Sequence, residues 1–218
     1  AGVLMAGVIP TPAVARLAVE SKAAAGIVVS ASHNPFGDNG LKVFTGEGFK
    51  PDPALERRIE DRVLSALGAD LRAVDFGAGI GRITDAVDAE NRYLAFLRSR
   101  GEPLSGLKIV LDCANGAAHR VGPALFDALG AAVAVIGAAP DGRNINDGCG
   151  SEHPEGLVEA VRRHGADIGL ALDGDGDRLV AVDDTGAVVG GDQIIAICAA
   201  DMKQRRALKN NLVVTTVM

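Results

Sequence analysis

The chain has 218 residues, of which 48% are hydrophobic and 23% are charged, a composition ordinary for a soluble α/β protein. Its net charge of −6 gives no electrostatic reason to expect a nucleic-acid partner or an anionic membrane. No apolar run reaches the roughly 20 residues of a membrane span. The three cysteines are widely spaced and predict neither a disulfide framework nor a zinc site. We therefore expect a protein of the reducing cytoplasm, without a nucleic-acid or membrane partner.

Both ends of the sequence have the character of interior segments. The chain opens on AGVLM without an initiator methionine, and it closes within an apolar, β-like run at residues 212–218. A strand that ends at a natural terminus leaves an unpaired edge. We therefore expect the sequence to be a piece of a longer polypeptide.

Helix and strand patterns alternate through the first part of the chain. Apolar residues recur at helical spacing from Val14 to about Ala25, and Gly26 is expected to stop that helix. The further predicted elements are a short buried strand at 27–29, a loop at 30–39, a strand at 41–44, helices at 53–67 and 86–99, and a flexible glycine turn at 77–81.

Residues 101–106 form the best domain boundary, because two glycines, a proline and a serine separate periodic segments there. After it we predict strands at 107–111, 131–136, 168–172, 179–182 and 188–189, with a polar loop at 140–153 and helices at 116–129 (capped by Asn115), 155–164 and 192–202. The predicted fold class is α/β, with two domains of mixed, mostly parallel sheets flanked by helices. Ligands of such sheets bind beyond the carboxyl ends of the strands.

Three carboxylates follow the predicted strand at 168–172. Asp173, Asp175 and Asp177 alternate with two glycines and precede Arg178. Such crowded charges repel one another unless a cation lies between them, and their oxygen ligands favour magnesium, calcium or manganese. The alternative to a metal site is an ordinary polar turn between two strands, without a function of its own. An EF-hand loop is excluded, because Arg178 stands where that loop needs glycine. The arginine also suggests that a phosphate visits the site.

A second candidate site is the loop at residues 30–35, with the sequence SASHNP. A serine at the end of a strand, beside His33, is a candidate nucleophile or phosphate carrier, although serine, asparagine and proline are common in any loop. Lys42 is open to two interpretations, a solvated surface charge or a member of the site. A phosphoserine brought to the three acids would complete a metal shell and give Arg178 an anion to hold.

The motifs SASHNP at 30–35, NGLK at 39–42 and DGDGDR at 173–178, in this order and at this separation, resemble the α-D-phosphohexomutases over essentially the whole chain. The loop at 141–155 is similar to that of one branch of the family, the phosphoglucosamine mutases. The resemblance implies specific roles for seven residues. Ser32 is the phosphorylated serine, and Asp173, Asp175 and Asp177 bind Mg²⁺ together with it. Arg178 contacts the phosphate, and His33 and Lys42 assist proton transfer and charge stabilisation.

The resemblance also implies a four-domain cytoplasmic enzyme. Residues 1–102 would be the C-terminal part of domain 1, residues 103–211 domain 2, and residues 212–218 the start of domain 3. The enzyme would interconvert glucosamine 6-phosphate and glucosamine 1-phosphate through a bisphosphate, for UDP-N-acetylglucosamine synthesis. A homodimer is left open, and this chain alone is expected to be inactive. The alternatives are a phosphomannomutase or phosphoglucomutase, and a non-catalytic homologue that binds metal and phosphate.

Overall fold

A computed structural model describes residues 2–67 and 81–215 of the chain. This part contains nine strands and six α-helices, and a short 3-10 turn, Lys209–Asn211, follows the last helix. The strands are β1 (Val3–Met5), β2 (Ala25–Val29), β3 (Leu41–Thr45), β4 (Ile83–Asp85), β5 (Lys108–Asp112), β6 (Ala132–Ile136), β7 (Ile168–Leu172), β8 (Leu179–Asp183) and β9 (Val188–Val189). The helices are α1 (Thr11–Glu20), α2 (Pro53–Ala66), α3 (Ala89–Arg98), α4 (Val121–Ala128), α5 (Glu155–His164) and α6 (Gly191–Gln204).

The second half of the chain, after residue 106, forms a mixed five-stranded sheet in the order β6-β5-β7-β8-β9. Strand β5 pairs in parallel with β6 and β7, whereas β8 is antiparallel to β7 and β9 is antiparallel to β8. Successive residues of β5 face opposite sides. Val110 packs in the same buried cluster as Leu157 and Val161 of α5, and Leu111 lies against Gly122 of α4. Helices therefore cover both faces, and the predicted α/β class is confirmed.

The first half contains two small sheets, a parallel pair of β1 with β4 and an antiparallel pair of β2 with β3. Helix α1 ends at Glu20, and Gly26 lies inside β2, so the prediction that Gly26 stops the helix is wrong. A Cβ atom at Gly26 would lie 3.2 Å from Cγ1 of Val14, which shows that this glycine lets the helix approach the strand closely. The predicted burial of the strand is also wrong, because Ile27 and Val29 face away from α1 and are exposed.

The predicted helix at 116–129 begins later than expected, at Val121, and Asn115 is not its cap. Asn115 has a left-handed backbone (φ 47°), and its side chain instead contacts the 140–153 loop. Its Nδ2 donates to the Asn144 carbonyl at 3.3 Å, and its Oδ1 accepts from the Ala139 N–H at 3.1 Å. Tertiary contacts therefore outweigh the local capping preference at this position.

Three helices join the two halves of the chain. A buried apolar cluster, here called the α1–α3–α4 cluster, consists of Ile9, Ala13, Leu17, Ala89, Tyr93 and Val121. Helix α3 contributes Ala89 and Tyr93, and it packs against both α1 and α4. The cluster therefore links α1 of the first half to α4 of the second half through α3.

Two predictions concern residues that the structure describes only in part. The glycine turn at 77–81 lies outside the described residues except for Gly81, and so does the end of the run at 212–218. Residues 212–215 lie in neither a helix nor a strand. Within the described ranges, none of the helices combines the length and the apolar character that a bilayer crossing requires.

The three cysteines are free thiols that differ in burial, and we expect them to differ in reactivity. Cys113 is fully buried, and burial together with the charge of Asp112 raises the pKa of its thiol to about 12. At pH 8 only about 10⁻⁴ of this thiol is ionised, and the thiolate is the reactive form. We expect iodoacetamide to modify the exposed Cys198 and to spare Cys113, as measured by peptide mapping of the folded protein.

Denaturant supplies the control for this alkylation experiment, because unfolding removes the burial that protects Cys113. All three cysteines should then react at comparable rates. Labelling of Cys113 in the folded protein as fast as that of Cys198 would contradict the described packing.

Candidate active site

The three acids lie in the turn between β7 and β8. Asp173 follows β7, and its Oδ1 accepts the backbone N–H groups of Asp177 and Arg178 at 3.0 Å each. Gly176, with φ 69°, donates its N–H to the Asp173 carbonyl and tightens the turn. One carboxylate oxygen from each of Asp173, Asp175 and Asp177 lies within 4.8 Å of the others. The turn therefore brings the carboxylates of three acids close together, and two of these acids are buried.

Ser32 meets these acids from the other half of the chain. Its Oγ lies 2.6 Å from Oδ2 of Asp173 and 3.0 Å from Oδ1 of Asp175. Ser32 has a left-handed backbone (φ 58°), which is uncommon for serine, and its N–H donates to Oγ of Ser30 at 3.0 Å. The fold thus brings the hydroxyl into contact with carboxylates that are 141 and 143 residues away in sequence.

Two further residues bind Asp175. The ammonium group of Lys42, in β3, donates to Asp175 and also to Oδ2 of Asp177 at 2.8 Å. Thr11, the first residue of α1, donates its Oγ1 hydroxyl to Oδ2 of Asp175 at 2.5 Å and its N–H to the Asp175 carbonyl at 2.8 Å. The second bond satisfies one of the free N–H groups that every helix start leaves. Thr11 was not predicted, because nothing in its sequence neighbourhood distinguishes it from an ordinary helix start.

Burial and hydrogen bonding shift the pKa values of these groups in opposite directions. Burial raises the pKa of Asp173, with a further contribution from the neighbouring acids, against the hydrogen bonds from Ser32 and Arg178. Burial also favours neutral Asp175, but the hydrogen bonds and charge of Lys42 and the bonds from Thr11 and Ser32 lower its pKa. Burial likewise disfavours the charged Lys42, and its bonds to Asp175 and Asp177 outweigh this and raise its pKa.

The charge of the acidic turn is only partly neutralised by Lys42. Two carboxylates 4.8 Å apart repel by roughly 3 kcal/mol at an effective dielectric constant of 20. The atoms available here as metal ligands are all oxygens, from three carboxylates and the Ser32 hydroxyl. Hard divalent cations prefer this donor set, whereas zinc prefers nitrogen and sulfur. The residues therefore fit a site for a hard metal ion.

Arg178 and His33 lie together at the rim of the site. Nη1 of Arg178 is 2.5 Å from Nδ1 of His33, and about half of the arginine side chain is exposed. The guanidinium donates, so Nδ1 is the acceptor in this arrangement. Among the described contacts, the imidazole has its bond to Arg178 and none to the Ser32 hydroxyl. A role for His33 in proton transfer stays a prediction.

The loop at 140–153 borders the site and is held at its base by a buried carboxylate. Oδ1 of Asp112 accepts the Ala114 N–H at 2.9 Å, and its Oδ2 accepts the Gly150 N–H at 2.8 Å. From this loop, the side chain of Asn146 bonds to backbone carbonyls of residues 30–35, here called the serine loop. Sequence reasoning had assigned a role to neither Asp112 nor Asn146. Both are ordinary residues whose partners appear only in the folded chain.

Comparisons with known proteins relate the chain to a family of enzymes. The family model of phosphoglucomutase/phosphomannomutase α/β/α domain I matches residues 1–68, and that of domain II matches residues 91–186. A phosphoglucosamine mutase from Geotalea daltonii is 50% identical over 99% of this chain. Further proteins of the same name are 49–52% identical. The chain spans about half the length of these relatives, 48% in the Geotalea protein.

Solved structures give the same fold. A phosphoglucomutase/phosphomannomutase family protein from Burkholderia thailandensis superposes with a TM-score of 0.76 and 26% identity, over 94% of this chain and 45% of that one. An N-acetylphosphoglucosamine mutase from Aspergillus fumigatus, in complex with GlcNAc-6P and magnesium, gives a TM-score of 0.51 at 18% identity, over 91% of this chain and 53% of its own. With two domain models matched in order and the serine loop lying against the acidic turn, the chain belongs to the phosphoglucomutase/phosphomannomutase family.

Proposed function

We propose that the full-length protein containing this chain is a phosphoglucosamine mutase, which interconverts glucosamine 6-phosphate and glucosamine 1-phosphate. The observation that carries the proposal is the 2.6 Å contact between Oγ of Ser32 and the Asp173 carboxylate. A hydroxyl in contact with two of the three acids, Asp173 and Asp175, is suited to carry a phosphoryl group when a cation balances the charges. The identity of about 50% to proteins of this name supports the choice of sugar.

Mg²⁺ is the cation that we propose for this site. Asp173, Asp175, Asp177 and the oxygens on Ser32 would hold it, and their oxygen-only chemistry suits it. The related Aspergillus enzyme was solved in complex with magnesium together with a sugar phosphate, which supports the choice of ion. When bound, the ion would neutralise charge on the transferring phosphoryl group.

The proposed reaction has two balanced transfers. In the first, the O–P bond of phosphoserine 32 breaks, a new bond forms to the free 1-hydroxyl of glucosamine 6-phosphate, and the hydroxyl proton passes to the serine oxygen. The bisphosphate then reorients, so that its 6-phosphate faces Ser32. In the second, its 6-phosphate passes to Ser32, whose proton goes to the sugar 6-oxygen, and glucosamine 1-phosphate is released. That product would serve UDP-N-acetylglucosamine synthesis.

The side chains around Ser32 have distinct proposed roles. Lys42 holds Asp175 and Asp177 in place and offsets their charge. Arg178, half exposed beside the serine loop, is suited to hold phosphate oxygens. His33 bonds to the guanidinium, so we assign it to orienting Arg178 and to proton transfer at the rim. We also propose a cytoplasmic location, in keeping with three free thiols. The homodimer and the domain limits at 102 and 211 stay predictions.

Mass spectrometry and a substrate panel test the proposed function in the full-length protein. We expect phosphate on Ser32, and turnover of glucosamine 6-phosphate at least tenfold more efficient than that of mannose 6-phosphate or glucose 6-phosphate. Ser30→Ala should keep the phosphate, whereas Ser32→Ala should lose both phosphate and turnover.

Three outcomes of these measurements would contradict the proposal in different ways. A preference for mannose or glucose phosphate would move the protein to another branch of its family. Phosphate on Ser30 alone would overturn the assignment of the nucleophile. An unphosphorylated protein without activity on any of these sugars would indicate a metal- and phosphate-binding homologue.

A further inference from the structure

The serine loop is bonded to the second half of the chain at a point separate from the acids. The side-chain amide of Asn146 donates to the Ser32 carbonyl and to the Asn34 carbonyl, both at 2.9 Å. A carbonyl oxygen only accepts, so the group facing both must be the NH₂, which has one proton for each. One amide therefore grips the backbone on both sides of His33.

Asn146 is itself held by a bond to the segment after β5, and its loop is braced by further bonds. It is 8% exposed, and its N–H donates to the Ala114 carbonyl at 2.9 Å. Nearby, the Asp141 carboxylate accepts the N–H groups of Arg143 and Asn144 at 2.8 and 2.9 Å. Asn144 returns a bond to the Ala139 carbonyl at 2.9 Å. These bonds make the loop a rigid platform from which the Asn146 amide projects.

The acidic turn packs against the same point. A Cβ atom at Gly174, between Asp173 and Asp175, would lie 2.6 Å from Nδ2 of Asn146 and 2.7 Å from the Ser32 carbonyl oxygen. The platform, the serine loop and the acidic turn therefore meet at one place. A change in the Asn146 bonds would alter the distance between Ser32 and the acids.

We propose that Asn146 is a positioning residue, whose amide holds the Ser32 backbone in register with the acidic turn for phosphoryl transfer. The inference rests on the proposed function for its catalytic consequence. Its structural content, the attachment of residues 32–34 to the 140–153 loop, stands independently of the reaction. Phosphoryl transfer depends mainly on positioning, so a displacement of Ser32 by about 1 Å is expected to reduce the rate by about 10²-fold.

A competing explanation is that Asn146 serves only its own backbone. Its φ of 57° lies in the left-handed region, which asparagine tolerates better than most residues. Asn146→Gly separates the two explanations, because glycine accepts this conformation and removes the amide. If only the backbone matters, the glycine variant keeps full activity. If the amide matters, the variant loses activity although its loop conformation is allowed.

The test uses Asn146→Gly and Asn146→Asp in the full-length protein. Asn146→Asp keeps the side-chain shape and turns carboxylate oxygens toward two carbonyls. We expect both variants to lower kcat by about 10–100-fold with KM changed less than about threefold. Hydrogen exchange at the backbone amides of residues 30–34 should rise at least about tenfold. Asn210→Asp is the matched control, because Asn210 is exposed with φ 56°, and it should leave all of these quantities unchanged.

The outcomes separate this inference from the proposed function. Active wild-type protein with unchanged kcat in Asn146→Gly overturns the positioning role and leaves the mutase proposal standing. Inactive wild-type protein in which Asn146→Gly still speeds exchange at residues 30–34 overturns the mutase proposal and supports the attachment. Unchanged exchange in both variants overturns the attachment itself. Should Asn146→Asp fail to fold, the uncharged glycine variant alone decides.

Discussion

Replacing Asp173 with asparagine is expected to lower the affinity for a divalent metal about 100-fold or more, and phosphoryl transfer by about 10³-fold. The asparagine oxygen can still accept the backbone N–H groups of Asp177 and Arg178, which the Asp173 Oδ1 now accepts at 3.0 Å. Its NH₂ group then faces Ser32, where an anionic oxygen stood. The turn should therefore keep its shape while the site loses a negative ligand.

The matched control for this change is Asp184→Asn, which removes the same charge from an exposed residue in the turn after β8. Calorimetric titration with Mg²⁺ and an assay of glucosamine 1-phosphate, both on the full-length protein, measure the two effects. Thermal unfolding checks that Asp173→Asn is folded. Equal metal affinity in the two variants would remove Asp173 from the ligand set and refute the metal site as described.

The second large effect is expected from Gly116→Ala. A Cβ atom at Gly116 would lie 2.2 Å from the carbonyl oxygen of Gly174, and 2.7 Å from its carbonyl carbon and its Cα atom. These are backbone atoms of the acidic turn, which cannot move aside as a flexible side chain could. We expect unfolding free energy to fall by about 1–3 kcal/mol or more, and the acids to be displaced. Urea unfolding and Mg²⁺ titration measure the two consequences.

Gly156→Ala provides a matched substitution in the same half of the chain. Gly156 lies in the first turn of α5, and a Cβ atom there would meet nothing within 4 Å. Alanine favours helix over glycine, so this variant should be more stable by about 0.4–1 kcal/mol. If Gly116→Ala proves as stable as Gly156→Ala, the close packing of residue 116 on the acidic turn is wrong.

Sequence reasoning succeeded where a periodic pattern and packing agree. The limits of α5 were predicted as found, because its apolar residues recur at helical spacing and Gly165 ends it with a left-handed backbone. It failed at Gly26 and at Asn115, where each residue has a common local role but the fold uses it for a tertiary contact instead, Gly26 with helix α1 and Asn115 with Asn144 and Ala139. Strands β1 and β4, with three residues each, were not predicted.

The candidate site shows the same division. The spacing of Asp173, Asp175 and Asp177 alone predicts a metal site, whereas the predicted roles of Ser32 and Lys42 required resemblance to a family. Neither the spacing of residues nor the family resemblance identified Thr11 and Asn146. Their roles depend on bonds to residues more than 100 positions away, and threonine and asparagine are frequent at helix starts and in loops.

The α1–α3–α4 cluster has a consequence for motion during the proposed reaction. Exposing any of the larger aliphatic side chains of the cluster, Ile9, Leu17 or Val121, by a separation of these helices would cost about 1.5–3 kcal/mol. Ser32, the proposed phosphate carrier, and the acids that face it should consequently move as one rigid body. A hinge that opens to let a bisphosphate turn around must then lie elsewhere in the full-length protein, and the serine–acid distance should stay constant through the whole cycle.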